Sequence, residues 1–382
     1  MEFSWSKEQL ELRDAIIAFG RRMSTDDLVG RDRDEIFARD LWSQCADFGL
    51  IGLPFPEEYG GGGSDVLTTV LAMESLGYAC KDSGLTFGIN AQMWSVMMPI
   101  NRFGSEDQKR RYLPRLCSGE SIGAHGMSEP DSGSDAFSLR TTARRDGDCY
   151  VLNGTKTFVS NAPVADMFVV FASIDRSLGA LGLTAFIVER DTPGFRVGKP
   201  IEKMGLRTSP MAELIMEDCR VSVANRIGRE GRAAGIFNDS MEWERGCILA
   251  SCVGGMQRQL EEGSEYARNR EQFGQPIGKF GSVSQRLVAM KTRLELSRLA
   301  LYRAAWMKMN GDPGASEAAA VAKLYISDAW TQTCLDAVQL RGGYGFMTDY
   351  EVERDLRNAV GSTLYSGTSD IQRALIARSL GF

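Results

Sequence analysis

Residues 365–373 read YSGTSDIQR, and this stretch near the end of the chain is the strongest guide to its fold. Thr368 stands directly before a run that favours helix, so we expect it to cap the N-terminus of the last helix, where an anionic group is favoured. Ser366 offers only a hydroxyl, which is a poor base at neutral pH. The earlier run SMEWER at residues 240–245 contains two glutamates, Glu242 and Glu244, whose carboxylates can accept a proton at neutral pH.

Outward from this stretch, the chain divides into three segments with different patterns. Residues 1–122 have helical periodicity with a Gly-rich interruption, and residues 123–235 consist of short runs rich in β-forming side chains. Residues 236–382 are helical again, with long segments and few breakers. We expect an N-terminal α-helical domain, a middle β domain and a C-terminal helical bundle with these limits, and hence an α+β fold.

The middle segment contains local signals for strands and turns. Runs at residues 150–152, 167–171 and 183–188 are short and β-rich. The groups DGD at 146–148 and NG at 153–154 are typical of turns, and they flank the first of these runs. The sequence therefore predicts a hairpin here.

Composition excludes several classes of function. The chain has 382 residues, of which 43% are apolar and 25% charged, and its net charge of −6 argues against general nucleic-acid binding. The N-terminal run MEFSWSKE lacks the pattern of a signal peptide, and no uncharged apolar run is long enough to span a membrane. We expect a cytoplasmic protein without a membrane span.

Histidine and cysteine usage narrows the chemistry further. His125 is the only histidine, which excludes histidine-based metal sites and Ser-His-Asp triads, so we expect no metal and interpret His125 as a packed residue. The eight cysteines include no CxxC pair, which is typical of reduced thiols rather than a disulfide framework.

Five blocks, in order, resemble those of the acyl-CoA dehydrogenase superfamily of flavoproteins, and the resemblance covers essentially the whole chain. They are MSEPDSGSD at 127–135, NGTKTFVSN at 153–161, REQFG at 270–274, the GGYG-containing run at 339–357, and YSGTSDIQR. The resemblance implies an N-terminal helical domain, a middle β-barrel-like domain and a C-terminal four-helix bundle. It also implies FAD as the cofactor.

The resemblance assigns the cofactor-binding residues in three groups. Near the isoalloxazine ring it places Met127, Ser128, Gly133, Ser134, Phe158 and Ser160. On the diphosphate and adenine, held across a subunit interface, it places Arg270, Gln272, Phe273, Gln339, Gly342 and Gly343. From the terminal block it adds Ser366, Thr368 and Asp370. The alternative is that Ser128 and Ser160 merely cap strands or turns.

Some branches of the superfamily carry their base on the helix that here contains Glu242, Glu244 and Arg245. The two glutamates are about 200° apart around a helix axis, so only one can face a given cavity. We expect Glu244 to remove the α-proton of a thioester substrate while flavin N5 accepts the hydride, and Arg245 to orient or neutralise neighbouring groups. Burial should raise the pKa of Glu244. The alternative is a surface glutamate paired with Arg245.

Ser366 and the SMEWER run together resemble the branch that oxidises an L-prolyl group on a peptidyl carrier protein toward pyrrole-2-carboxyl in secondary metabolism. The first alternative is a short- or branched-chain acyl-CoA or acyl-carrier-protein dehydrogenase. The second is a flavin oxidase or monooxygenase of the same fold, and the third is a non-enzymatic scaffold.

The resemblance also implies partners: a thioester on a carrier protein or CoA, an electron-accepting flavoprotein or O2, and a homo-oligomer that is a dimer or tetramer. The basic runs 109–111 and 268–270 are candidate docking sites for the anionic substrate carrier, although solvated helix faces explain most such runs.

Overall fold

The computed structural model describes residues 4–23 and 27–382, and it has the order helical, β, helical that the sequence predicts. Residues 1–3 of the N-terminal run, from which the absence of a signal peptide was inferred, lie outside the described part. No helix among the described residues is long and apolar enough to cross a membrane.

Seven α-helices lie among the described residues of the first helical part. They are α1 (Lys7–Arg22), α2 (Leu28–Asp34), α3 (Arg39–Asp47), α4 (Val66–Ala79), α5 (Ser83–Ala91), α6 (Met98–Phe103) and α7 (Glu106–Cys117). Capping side chains define several of their starts: Ser6 accepts a hydrogen bond from the backbone of Gln9 at α1, and Asp82 accepts one from the backbone of Leu85 at α5. Most side chains of α4 are buried because this helix packs against both α1 and the C-terminal helices.

A π-helical segment, Gln92–Met97, joins α5 to α6 without a break in the helix. Pro99 has no backbone N–H to donate to the carbonyl of Ser95 four residues earlier, so the ordinary hydrogen-bonding pattern cannot continue through this point. The backbone N–H of Met98 donates instead to the carbonyl of Met93, five residues earlier. Every residue of the segment is buried. Such π-helical turns are rare and occur frequently at functional sites.

The middle part is a mixed eight-stranded sheet with the order β6-β7-β3-β2-β4-β5-β8, in which β1 pairs in parallel with β4. Its strands are β1 (Gly123–Gly126), β2 (Thr142–Asp146), β3 (Cys149–Ser160), β4 (Met167–Ser173), β5 (Leu183–Glu189), β6 (Phe195–Pro200), β7 (Met211–Ser222) and β8 (Arg226–Ile227). The fully buried side chains of β4 and β5 form its core.

The predicted hairpin is confirmed at its first turn and wrong at its second. Asp146 pairs with Cys149 across a turn between β2 and β3, as the sequence indicates. Asn153-Gly154, however, lies inside β3, where the register with β7 shifts between Leu152 and Gly154. The side chain of Asn153 exchanges two hydrogen bonds with Asp218 on the neighbouring strand, so the pair marks a bulge and not a turn.

The last part is helical and includes one small β ribbon. It comprises α8 (Ala233–Cys247), α9 (Ala250–Asn269), α10 (Gly281–Met309), α11 (Ala315–Arg341), α12 (Val352–Ser362) and α13 (Ser369–Ser379), with β9 (Glu271–Gln272) and β10 (Gln275–Pro276) after α9. The three longest helices, α9, α10 and α11, pack against one another, and α8, α12 and α13 pack against α11. Helix α11 is therefore the central element of the bundle.

Candidate active site

Glu244 lies on α8 with only 7% of its surface exposed, and its carboxylate is hydrogen-bonded to two other parts of the fold. The hydroxyl of Ser95 on the π-helical segment donates to its Oε2, and the hydroxyl of Ser366 donates to its Oε1. The indole of Trp243, its neighbour on α8, stacks on that of Trp94 with ring centroids 6.1 Å apart. This arrangement contradicts the alternative of a surface glutamate.

Glu242 faces elsewhere, as its helical phase predicts. Its carboxylate pairs with Nζ of Lys308 on α10 at 2.9 Å, so the two glutamates of the SMEWER run have different surroundings.

The loop that carries Ser366 is fixed by three side chains that donate to its backbone. The carbonyl of Ser366 accepts from Nε of Arg245 at 3.2 Å, and the carbonyl of Gly367 accepts from Nζ of Lys323 and Nε2 of Gln372, each at 2.8 Å. Ser366 itself has a φ of +59°, a left-handed conformation that is uncommon for a residue with a side chain. The loop therefore presents its hydroxyl to Glu244 in a defined conformation.

Thr368 accepts a hydrogen bond from the backbone of Ile371 and caps α13, which confirms the predicted start of the last helix. Asp370, in the first turn, is exposed and pairs with Arg373 at 2.8 Å.

Burial and hydrogen bonding shift the pKa of Glu244 in opposite directions. Burial raises the pKa of Glu244, while the hydroxyls of Ser366 and Ser95 and the charges of Arg245 and Lys323 act in the opposite direction without cancelling it. Burial likewise lowers the pKa of Lys323 to about 8 and lowers that of Arg245. A carboxyl group with a raised pKa is suited to accept a proton near neutral pH.

Met127 and Ser128 follow strand β1, and the structure brings them next to the end of β3. The backbone N–H of Thr157 donates to the carbonyl of Ser128 at 2.9 Å, which places Ser128 beside Phe158 and Ser160. Phe158 has a φ of +56° at a second register shift of β3, and 65% of its surface is exposed. An aromatic side chain held outward by an unfavourable backbone conformation is suited to contact a flat ligand.

An ion pair that sequence reasoning missed supports this region. Glu129 and Lys156 are both almost fully buried, and their charged groups lie 2.7 Å apart. Glu129 also accepts hydrogen bonds from the backbone N–H groups of Arg140 and Thr141. Burial tends to raise the pKa of Glu129, but Lys156 and the other donors hold it below its usual range. Both residues belong to blocks that resemble the family, MSEPDSGSD and NGTKTFVSN, and this membership could have indicated that they act together.

Glu129 stands at the start of the loop that contains Gly133 and Ser134. It binds the backbone at the end of this loop and pairs with Lys156 on β3, so it joins both ends of the loop to the sheet. Gly133 and Ser134 are both exposed on the loop. Their position beside Ser128 is compatible with the predicted contact to a ligand on this face of the sheet.

An open pocket of about 490 Å³ lies at the far end of the bundle, between the C-terminal ends of α9 and α11. The pocket is lined by five of the residues that we predicted to bind the dinucleotide: Arg270, Gln272, Gln339, Gly342 and Gly343. Tyr344 also lines it, and its ring lies 5.6 Å below the Arg270 guanidinium. The structure thus brings together residues that are far apart in the sequence.

Phe273 is not among the residues that line this pocket. Its side chain is 94% exposed, and its ring meets that of Phe280 edge to face. So large an exposed aromatic ring beside the pocket is compatible with the predicted contact across a subunit interface.

Two other predictions concern residues outside these sites. His125 packs between the rings of Phe171 and Phe237, as expected for a structural histidine, and burial lowers its pKa to about 4. The basic run at 109–111 forms surface ion pairs with Glu106 and Glu189, which favours the interpretation of a solvated face.

The two groups of residues fit FAD. At the open pocket, space remains around Gly342 and Gly343 where a side chain would stand, so a phosphate can approach the backbone closely, and Arg270 supplies a guanidinium. At the sheet, Ser128 and Ser160 offer hydroxyls and Phe158 an apolar face. Arg270, Gln272, Gln339, Gly342 and Gly343 would hold the dinucleotide end, and Met127, Ser128, Phe158 and Ser160 the ring system.

Comparison with known proteins agrees with this arrangement. Sequence profiles of the acyl-CoA dehydrogenase N-terminal, middle and C-terminal domains match residues 6–120, 124–219 and 234–381. An L-prolyl-[peptidyl-carrier protein] dehydrogenase of Pseudomonas fluorescens is 44% identical over 92% of each chain.

Two solved structures are also similar. The prolyl acyl carrier protein oxidase AnaB has 51% identity and a TM-score of 0.98, covering 99% of this chain and 100% of its own. A structure described as PigA with FAD and proline has 40% identity and a TM-score of 0.97, covering 100% and 99%.

The fold and the site together define a flavin-dependent dehydrogenase that acts on a thioester. The chain belongs to the acyl-CoA dehydrogenase family, and its cofactor is FAD.

Proposed function

We propose that this enzyme oxidises an L-prolyl group bound as a thioester to a peptidyl carrier protein, toward pyrrole-2-carboxyl, with Glu244 as the base. The observation that carries the proposal is the buried Glu244 carboxylate, which accepts a hydrogen bond from Ser366. Ser366 occupies the sequence position at which many members of the family have their base. The similarity to an L-prolyl-[peptidyl-carrier protein] dehydrogenase and to PigA, whose structure is described as containing FAD and proline, supports the choice of substrate.

The residues of the chain account for proton removal. Glu244 accepts the α-proton on one of its oxygens, each of which keeps a free lone-pair direction beside the hydroxyl that it already binds. Arg245 and Lys323 hold the Ser366–Gly367 loop through its carbonyls, and their charges favour the ionised state in which Glu244 can accept a proton. When bound, FAD supplies the acceptor for the hydride that leaves the β-carbon.

A small cavity lies close to Glu244 in the sequence of α8 but is not lined by it. Ile248 lies one helical turn after Glu244, and Tyr365 directly precedes Ser366; both line a cavity of only about 20 Å³. This volume is of the order of one or two water molecules. Tyr365 contributes a ring that lies 4.7 Å from that of Phe87.

Anaerobic bleaching of the bound flavin tests the substrate. The FAD-loaded enzyme is mixed with prolyl-loaded carrier protein and, in parallel, with short- and branched-chain acyl-CoAs and the corresponding acyl-carrier proteins. We expect rapid bleaching by the prolyl thioester alone. Bleaching only by the acyl thioesters would replace the proposed substrate with that of a short- or branched-chain dehydrogenase.

We further propose a homo-oligomer, either a dimer or a tetramer. Lys323, near Glu244, and Gln339, in the open pocket, are 16 residues apart on the uninterrupted helix α11, a distance of about 24 Å along its axis. This separation supports the assignment of the open pocket to the FAD of a neighbouring subunit. Large apolar side chains exposed on α10 and α11 support assembly as well, and they include Val288, Leu296, Leu299, Trp306, Val321 and Leu335.

The electron acceptor that we propose is another flavoprotein, with O2 as the alternative. Consumption of one O2 per substrate by the reduced enzyme would favour an oxidase. A cytoplasmic location and domain limits at 122/123 and 235/236 stay predictions from the sequence.

A further inference from the structure

Ser95 is a buried polar residue on the π-helical segment, and its hydroxyl is one of the two direct partners of Glu244. Because Ser95 holds Oε2 while Ser366 holds Oε1, the two hydroxyls fix the plane of the carboxyl group from opposite ends. Terminal carboxyl torsions are otherwise broad, so a carboxylate held at one oxygen alone keeps more rotational freedom.

The backbone that carries Ser95 is specialised at this point. The wider turn closed by the bond from Met98 to Met93 contains Ser95, and Pro99, which has no N–H to donate to the carbonyl of Ser95, follows directly. Another contact joins the same segment to α8, since Ser240 donates its hydroxyl to the carbonyl of Trp94 at 3.2 Å. The π-helical segment is thus attached to α8 both at Glu244 and one turn before it.

The charged groups near Glu244 act at longer range than Ser95. Arg245 on α8 and Lys323 on α11 donate to carbonyls of the Ser366–Gly367 loop, and Tyr365 is partly buried, with the pKa of its phenol raised first by burial. A carboxylate at this depth needs hydrogen bonds to remain ionised. The two serine hydroxyls are the direct donors that the structure shows.

We propose that Ser95 is a positioning residue that holds the Glu244 carboxylate in one orientation, ready to accept the α-proton. The proposal deepens the proposed function and rests on the role of Glu244 as the base. Ser95 need not touch the substrate or the cofactor to act in this way. Its loss would let the carboxyl group rotate and would favour its protonated form.

The test compares Ser95→Ala, Ser95→Thr and Ser240→Ala as FAD-loaded enzymes. Ser240 is the matched control, because it is a buried serine that also joins α8 to the π-helical segment, but its hydroxyl donates to the carbonyl of Trp94 and not to the Glu244 carboxylate. The rate of anaerobic flavin reduction is measured against pH. In Ser95→Ala we expect the apparent pKa of the ascending limb to rise by about one unit and the plateau rate to fall about 10-fold. Ser95→Thr, which keeps the hydroxyl, and Ser240→Ala should follow the unmodified enzyme.

A second readout needs no substrate. Infrared difference spectra against Glu244→Gln report the protonated carboxyl of Glu244 directly, and its titration should shift upward in Ser95→Ala only. An unshifted titration in Ser95→Ala, or an equal shift in Ser240→Ala, would overturn the role of Ser95. Full activity of Glu244→Gln would instead overturn the proposed base, so the two failures are distinguishable.

Discussion

The two ends of α11 differ in how completely one chain forms its site. At one end, Glu244 is buried and both of its oxygens have donors from the same chain. At the other end, Arg270 and Gln272 are exposed, and the pocket that they line is open. The proposed proton-transfer site is enclosed within the chain, whereas the proposed dinucleotide site presents its groups outward.

The difference shows that the degree of burial determines which chemistry each of the two regions suits. Enclosure shifts the pKa of an acid-base group by removing water, and this requires that the surrounding chain supply every hydrogen bond. An exposed guanidinium keeps its charge and can attract a phosphate from solution, but each such contact is weaker and more easily screened. Changes at the enclosed end should therefore have larger effects than changes at the open end.

Glu244→Gln should have the largest effect, since it removes the proposed base while keeping the shape of the side chain. We expect flavin reduction to slow by about 10²–10⁴-fold, with the FAD content unchanged. Stopped-flow bleaching under anaerobic conditions measures this. Glu242→Gln is the matched control on the same helix. Because Glu242 pairs with Lys308, which Asp239 also contacts, its rate should stay within a few-fold. Equal losses in the two variants would remove the distinction between the glutamates.

Arg270→Ala should have an intermediate effect, confined to cofactor affinity. Loss of a charge-assisted hydrogen bond of about 1.5–3 kcal/mol predicts a Kd for FAD that is roughly 10–150-fold higher. Titration of the apoprotein with FAD measures it, and flavin reduction at saturating FAD should be nearly normal. Arg268→Ala changes an exposed arginine of the same basic run that does not line the pocket, and should leave the Kd unchanged.

Salt should have the smallest effect and should separate the two ends without any mutation. At about 1 M salt the screening length is about 3 Å, so binding of FAD at the open pocket should weaken a few-fold. The apparent pKa of the enclosed Glu244 should stay constant in the same buffers. A shift of that pKa with salt would show that the enclosed end is open to solvent ions.

The sequence predicted much of this molecule because local rules and several family blocks agreed. The helix cap at Thr368, the three-part order and the opposite phases of Glu242 and Glu244 all follow from spacing and composition. The residues of the open pocket could be grouped only through the resemblance, since Arg270 and Gln339 are remote in the sequence. The roles of the site residues stay predictions until the variants are measured.

The features that were missed depend on contacts between distant parts of the chain. Nothing local distinguishes Ser95 within its buried helix, although Pro99 could have indicated an interrupted hydrogen-bonding pattern. Lys323 lies in an alanine-rich run and looks like a solvated residue, yet it is fully buried. Asn153-Gly154 was misinterpreted as a turn because a bulge and a hairpin use the same residue types.

Helix α11 also determines which kinds of mutation the chain can tolerate. Its 16-residue interval from Lys323 to Gln339 places these residues about 160° apart around the axis, so each faces its own site only while the interval keeps its length. Removing a single residue between them would turn one end by about 100° relative to the other. Every catalytic and ligand-binding side chain would still be present in such a deletion variant. The relative orientation of the two sites thus depends on the number of residues between them. Insertions or deletions in this interval should be far more damaging than substitutions of exposed residues.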